Sequence, residues 1–167
     1  DGINWFSPAY DDSVWPAGNA LLYVEDNFLV SPRNSPLTLG RRTYYFRTHF
    51  NVPFAITNAI VSFATRIDDG AVFYLNGVEA GRLRITANPV LYTSAAQNAS
   101  DGNLDVITLN PASLVNGDNL LAVEVHQPGG GSSDDGGGSG WMLSNPKNDY
   151  TGAALRPKTS AISKSSQ

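Results

Sequence analysis

The chain has 167 residues, enough for one domain with a tail and for a core that needs no disulfides. It contains no Cys, which excludes a disulfide framework and a thiolate metal site. The net charge of −4 argues against nucleic acid as a partner, and no apolar run is long enough to span a bilayer as a helix. The chain starts without Met or a signal peptide, as a mature or excised fragment would.

Loop signals dominate the first forty residues. Residues 1–16 mix aromatic and acidic side chains with Pro, Ser and Asp at turn positions, which predicts a folded loop region. Residues 20–24 form a short apolar run typical of a strand. Residues 27–40 again favour a loop, because they contain two prolines.

From Arg42 the sequence alternates with a period of two, which predicts half-buried strands. Residues 44, 46, 48 and 50 face one side, whereas Tyr45, Arg47, His49 and Asn51 face the other. Pro53 ends this strand. Residues 58–66 repeat the pattern.

An Asn-Gly pair at 76–77 lies between two β-rich runs. Both residues tolerate the positive φ of a type I′ turn, so the segment predicts a hairpin with an Asp68-Asp69-Gly70 turn at its start. Further strands are predicted at 104–109 and 120–126, with a helical turn at 111–114 and a turn at 116–119 between them. Seven or eight short strands separated by turns indicate an all-β fold, an antiparallel β-sandwich.

The composition changes after Gln127. Residues 128–140 consist mainly of Gly, Ser and Asp, and residues 145–167 are polar, with few apolar anchors. We therefore expect a β-sandwich over 1–134 and a Gly/Ser-rich linker with a polar tail over 135–167. Residues 141–143, Trp-Met-Leu, could dock as a short strand.

Four motifs together resemble a known fold family. They are Asp-Asp-Ser-x-Trp-Pro-x-Gly at 11–18, Tyr-Tyr-Phe-Arg-x-x-Phe-x-Val at 44–52, Asp-Asp-Gly-Ala-Val-x-Tyr-Leu-Asn-Gly-Val-Glu at 68–79 and Asn-Gly-Asp-Asn-x-Leu-Ala-Val-Glu-Val-His-Gln at 116–127. Their order resembles the galactose-binding-domain-like jelly roll of non-catalytic modules in large secreted bacterial proteins. The sugar-binding domain of the β-galactosidase and β-glucuronidase families has a similar skeleton.

The resemblance implies a secreted, extracellular or cell-surface module that binds a carbohydrate or surface glycan. The sequence departs from the family pattern after Ser132-Ser133-Asp134, where glycines replace the expected last apolar strand. That strand is either displaced to 141–143 or missing. If it is missing, a sheet edge beside residues 120–126 is open to pairing with another chain.

The candidate ligand-binding residues are Tyr45, Arg47, Asp68, Asp69 and His126. An aromatic face with a few planar hydrogen-bonding groups suits a sugar. The alternative is structural: Asp68 and Asp69 as turn residues, and Arg47 as the ion-pair partner of Asp68, Asp69 or Glu124.

Asp11 and Asp12 are the candidate metal ligands, because paired carboxylates can bind Ca²⁺ through hard oxygens. The resemblance implies calcium as well, since galactose-binding-like domains often hold a structural Ca²⁺ near an N-terminal loop. Turn chemistry is again the alternative. Trp5 and Trp15 are either stacking platforms or, more commonly for Trp, buried.

Three functions remain open from the sequence. The first is a non-catalytic carbohydrate-binding or accessory module, because motifs for nucleophilic, metal-dependent or phosphate chemistry are missing. The second is a structural or assembly subunit of a surface filament or adhesin, joined by strand addition. The third is the accessory domain of a larger glycosidase, with the activity elsewhere in the parent chain.

Overall fold

A computed structural model of the chain describes residues 2–19, 22–23, 34–38, 40–53, 55–97 and 104–128, and the backbone of Thr159–Ile162. This part of the chain is all-β. Its strands are β1 (Ala17–Gly18), β2 (Leu22–Tyr23), β3 (Ser35–Pro36), β4 (Thr43–Val52), β5 (Val61–Arg66), β6 (Gly70–Leu75), β7 (Val78–Leu83), β8 (Leu104–Leu109), β9 (Gly117–His126) and β10 (Thr159–Ile162). A 3₁₀ turn at Pro111–Ser113 precedes β9.

The described strands form one large sheet and two small ones. The large sheet has six strands in the order β1-β10-β4-β9-β6-β7. All of its pairings are antiparallel. β5 and β8 form a separate antiparallel pair, and the short strands β2 and β3 pair in parallel. The central strand β9 pairs with β4 over ten residues and with β6 over six.

The main core lies between the large sheet and the β5–β8 pair. Phe46 and Phe73 of the large sheet are fully buried there, with Leu109 of β8 from the opposite layer. The Phe63 and Phe73 rings meet edge to face, 5.8 Å apart. Each buried side chain of this size contributes about 1.5–3 kcal/mol of hydrophobic stabilisation. This packing gives the domain its sandwich-like character.

The other face of the large sheet is also covered. Val72, Leu120 and Ala122 form a second buried cluster there, against which Trp5 and Phe6 pack from the N-terminal segment. Ile85 and Ala96 complete the cluster from the segment after β7. The centre of the large sheet is therefore buried on both faces, which the period of two alone does not reveal.

The Asn76-Gly77 turn has positive φ at both residues, 50° and 86°, as the hairpin motif predicts. Asn76 also ties the hairpin to the rest of the sheet. Its side-chain amide donates to Ser113 O and Asn119 Oδ1, and its Oδ1 accepts from Leu120 N, each at 2.7 Å. The turn residue is thus also a link between β6, the 3₁₀ turn and β9.

Most predicted elements are confirmed. The strand at 104–109 has the predicted bounds, and the helical turn is the 3₁₀ turn at 111–113. β9 begins three residues earlier than expected, because Gly117, Asp118 and Asn119 of the predicted turn pair with β4.

The prediction of a sheet edge beside residues 120–126 is wrong. β9 lies in the middle of the sheet, where β4 and β6 satisfy its backbone on both sides. The outer side of β4 instead pairs with β10, which belongs to the segment expected to be a polar tail. The strand expected at 141–143 lies outside the described residues.

No helix among the described residues has the length and apolar character needed to cross a membrane.

Candidate functional site

Three of the predicted ligand-binding residues share one face of the large sheet. Tyr45 lies opposite Glu124, and Thr43 lies opposite His126, so the side chains of Tyr45, Glu124 and His126 are neighbours on the sheet. Arg47 follows on the same face, opposite Ala122. The alternation of β4 and β9 predicts this arrangement correctly.

That polar face is buried. Arg47 is 2% exposed and His126 is 0% exposed, and Tyr45 and Glu124 are nearly as inaccessible. The N-terminal segment and the segment after β7 cover them. In this arrangement the polar groups bind protein atoms and present no open surface to a sugar.

Arg47 holds the N-terminal segment onto the sheet. Its Nε donates to Asp12 Oδ2 at 2.7 Å. Its Nη1 donates to the carbonyl oxygens of Trp5 and, at 2.9 Å, Ser7, and its Nη2 donates to Tyr10 O at 3.3 Å. Four of the five guanidinium N–H groups are therefore used within one loop. Arg47 therefore has the structural role that was the alternative to ligand binding. Its ion-pair partner is Asp12, whereas the sequence analysis named Asp68, Asp69 or Glu124.

The segment that Arg47 holds carries an aromatic cluster. The Trp5 ring meets Tyr45 at 4.8 Å and Tyr74 at 5.6 Å, both edge to face. The Phe6 ring stacks on Tyr74 at 4.4 Å. Trp15, further along the segment, is buried and contacts the Tyr10 ring at 5.7 Å. Burial, the alternative reading of Trp15, is therefore the one observed.

Beneath this cluster Tyr74 donates its hydroxyl to Glu124 Oε1 at 2.6 Å. Burial raises the pKa of Tyr74 far above its usual value, and the hydrogen bond to the Glu124 carboxylate raises it further. Burial, followed by the charge of Glu124, likewise raises the pKa of Tyr45. Both phenols thus stay protonated well beyond neutral pH.

His126 connects this network to the segment after β7. Its Nδ1 lies 2.9 Å from Ser94 O and 3.0 Å from Thr43 Oγ1. Because a carbonyl oxygen only accepts, Nδ1 must carry a proton. Thr43 in turn donates to Tyr92 O at 2.6 Å. His126 and Thr43 therefore anchor residues 92–94 on the sheet.

The other ring nitrogen of His126 faces a carboxylate. Nε2 lies 3.4 Å from Glu124 Oε2. The geometry is not that of a hydrogen bond, and Nε2 has no hydrogen-bond partner among the described residues.

Asp11 and Asp12, the candidate metal ligands, have different partners. Asp11 Oδ1 accepts from Ser13 N at 3.0 Å, the bond typical of an Asp that caps a turn. This hydrogen bond lowers the pKa of Asp11. Asp12 pairs with Arg47. Within the described residues no three His, Cys, Asp or Glu side chains are grouped to hold a metal ion, and calcium remains a prediction.

Asp68 and Asp69 belong to a turn that Arg84 holds. Arg84 donates to Ile67 O at 2.8 Å and to Asp69 O at 2.5 Å, and it binds both carboxylate oxygens of Asp105 at 3.0 Å. The sequence analysis missed Arg84 and Asp105. Nothing in the sequence around Arg84 indicates that it adopts a positive φ, which is 54° in the structure.

The strand register separates the Asp68-Asp69 turn from Arg47. Gly70 lies opposite His126, so the turn ends beside the histidine. Arg47 lies opposite Ala122, four residues further along β9 and about 13 Å away along the strand. The predicted ligand-binding residues therefore form two groups, one around Arg47 and one around His126.

A scan against protein-family models and a search of curated proteins found no match to the chain. The class that the fold itself defines is an all-β, sandwich-like domain with antiparallel sheets.

Replacing Arg47 tests its structural role. We expect Arg47→Lys to lower the free energy of unfolding by about 3 kcal/mol, because Lys keeps the charge but cannot bind four acceptors in a plane. Arg82→Lys is the control, since Arg82 pairs with Glu79 near the surface and should cost under about 1 kcal/mol. Urea denaturation measures both, and equal losses would contradict the assignment.

Replacing Tyr74 tests the buried phenol. We expect Tyr74→Phe to cost about 1–3 kcal/mol at pH 7, because Glu124 Oε1 loses its donor. A raised pKa means that the stabilisation is complete below about pH 10, where unfolded Tyr begins to ionise, and is lost as the pH rises further.

The wild-type free energy of unfolding should therefore fall above about pH 10, and Tyr74→Phe should reduce that slope by up to about 1.4 kcal/mol per pH unit. Denaturation at several alkaline pH values measures it. An unchanged slope would mean that Tyr74 ionises as freely in the folded protein as in the unfolded chain.

Proposed function

We propose that this chain is a non-catalytic structural module of a secreted or cell-surface protein, with a galactose-binding-like jelly-roll fold completed by strand addition. The observation that carries the proposal is the pairing of β10 with the outer side of β4. In the modules that the sequence resembles, the residues after the His-Gln segment lead into a last apolar strand. Here a strand from near the C-terminus takes up a place beside β4.

The chemistry of the polar face supports a structural role. Arg47 pairs with Asp12 and with backbone carbonyls, and the Glu124 carboxylate accepts from the Tyr74 hydroxyl. Buried polar groups with satisfied partners fix the position of the segments that they hold. The face is therefore better suited to stabilising the domain than to binding or converting a ligand.

Strand addition makes a defined prediction for β10. Ala161 lies opposite Phe46, in the middle of the paired segment. We expect Ala161→Pro to lower the free energy of unfolding by about 2 kcal/mol, because Pro interrupts a strand paired on both sides and removes a few hydrogen bonds.

Ser165→Pro, beyond the end of β10, is the matched control and should change stability by less than about 0.5 kcal/mol. Thermal and urea denaturation of both variants measure the difference. If Ala161→Pro is as stable as the control, β10 contributes nothing to the sheet and the proposed function fails.

Carbohydrate binding is a second candidate function, favoured by the aromatic N-terminal segment. Trp5, Phe6 and Tyr10 are each partly exposed, and Asp11 beside them is exposed. Aromatic rings next to a few polar groups are the surface that a sugar binds. This surface lies outside the buried face that the sequence analysis selected.

A glycan array and calorimetric titration with galactose, with and without Ca²⁺, test this candidate. We expect a dissociation constant on the order of 1 mM, roughly 4 kcal/mol of binding free energy. Trp5→Phe should weaken binding several-fold while keeping the backbone contact with Arg47. No binding at millimolar sugar under either condition would contradict it.

A further inference from the structure

We infer that the slot between β1 and β4 also accepts Thr159–Ile162 from a second copy of this chain, so that copies join head to tail. The inference rests on the proposed role of β10 as the strand that completes the sheet. It adds the partner: another copy of the same molecule.

The slot recognises its strand through the backbone. Ser160, Ala161 and Ile162 pair with Arg47, Phe46 and Tyr45 of β4. On the other side, Thr159 and Ser160 pair with Gly18 and Ala17 of β1. Ladder hydrogen bonds are identical for the same segment of any copy. A strand from a neighbour therefore fits the slot as well as the chain's own.

The contact between β10 and the slot is small enough for one copy of β10 to exchange with another. β10 pairs with three residues of β4, whereas β9 pairs with all ten. Elements held by few contacts open at a small fraction of the global free energy of unfolding. β10 can thus leave the sheet while the β4–β9–β6 centre stays folded.

The length of the chain between the two parts allows both arrangements. Thirty residues, 129–158, separate the described end of the body from β10. A chain of that length spans at most about 100 Å when it is fully extended. The slot of the same copy lies two strands from β9, about 10 Å away. The segment is therefore long enough for β10 to reach either its own slot or that of a neighbour.

The donated strand β10 and the slot that accepts it are different parts of the molecule. A strand donated by one copy and a slot offered by the next form a heterologous contact, which extends into a chain of copies unless its rotation closes a ring. Insertion of β10 into the slot of its own copy competes with insertion into a neighbour, at an effective concentration on the order of 1 mM. Joining is thus favoured where copies are crowded, as on a surface.

The lack of Cys in the sequence allows a direct test. Ala17 and Ser160 are opposite each other in β1 and β10, within the Cα separation that a disulfide bridges. Full-length Ala17→Cys and Ser160→Cys variants, carrying different affinity tags, are mixed in a glutathione redox buffer. A disulfide that joins the two tagged variants in excess of the control forms only if the strand passes between copies.

We expect the fraction of chains in the cross-linked product to rise about tenfold for each tenfold increase in protein concentration up to the order of 1 mM. Mixing Ala17→Cys with Ser163→Cys, which is displaced from the paired position, is the control and should give far less product. Circular dichroism verifies that each variant is folded.

The double variant Ala17→Cys/Ser160→Cys separates failure of this inference from failure of the proposed function. If it cross-links only within single copies at every concentration, exchange is overturned while strand completion stands. If neither the double variant nor the mixture cross-links above the control, β10 does not dock beside β1 and both proposals are overturned.

Discussion

The buried charge of Arg47 is the constraint on which the rest of the structure depends. A guanidinium in the middle of a covered sheet face is tolerated only when its N–H groups have acceptors, and those acceptors come from residues 5–12. Once that segment lies over the sheet, Trp5 and Phe6 cover Tyr74. The phenol and the Glu124 carboxylate are then removed from water together, which accounts for the raised pKa of Tyr74.

Local signals in the sequence were sufficient for much of the fold. The alternation of β4, the Asn76-Gly77 turn and the run at 104–109 each depend on neighbouring residues, and each is found where it was predicted. The grouping of Tyr45, Arg47 and His126 on one face also follows from the period of two. The sequence could therefore place these side chains in the sheet.

What covers those side chains could not be predicted in the same way. The contact of Arg47 with Asp12 joins residues far apart in sequence, and a period of two is the same for a solvated face and a covered one. The pairing of β10 was hidden for a different reason. Strand pairing uses backbone groups, so a polar segment with little apolar character can still complete a sheet. Arg84 was missed because its partners, two carbonyl oxygens of the turn at 67–69 and the carboxylate of Asp105, are not its neighbours in the sequence.

The pairing of Ala17 with Ser160 joins residues that lie far apart in the sequence. During synthesis, β4, β9 and β6 are complete before residue 160 leaves the ribosome. Until then the side of β4 that β10 occupies has no partner from this chain. The order of synthesis therefore leaves a nearly complete core with an unprotected strand edge, the form most prone to pair with its neighbours.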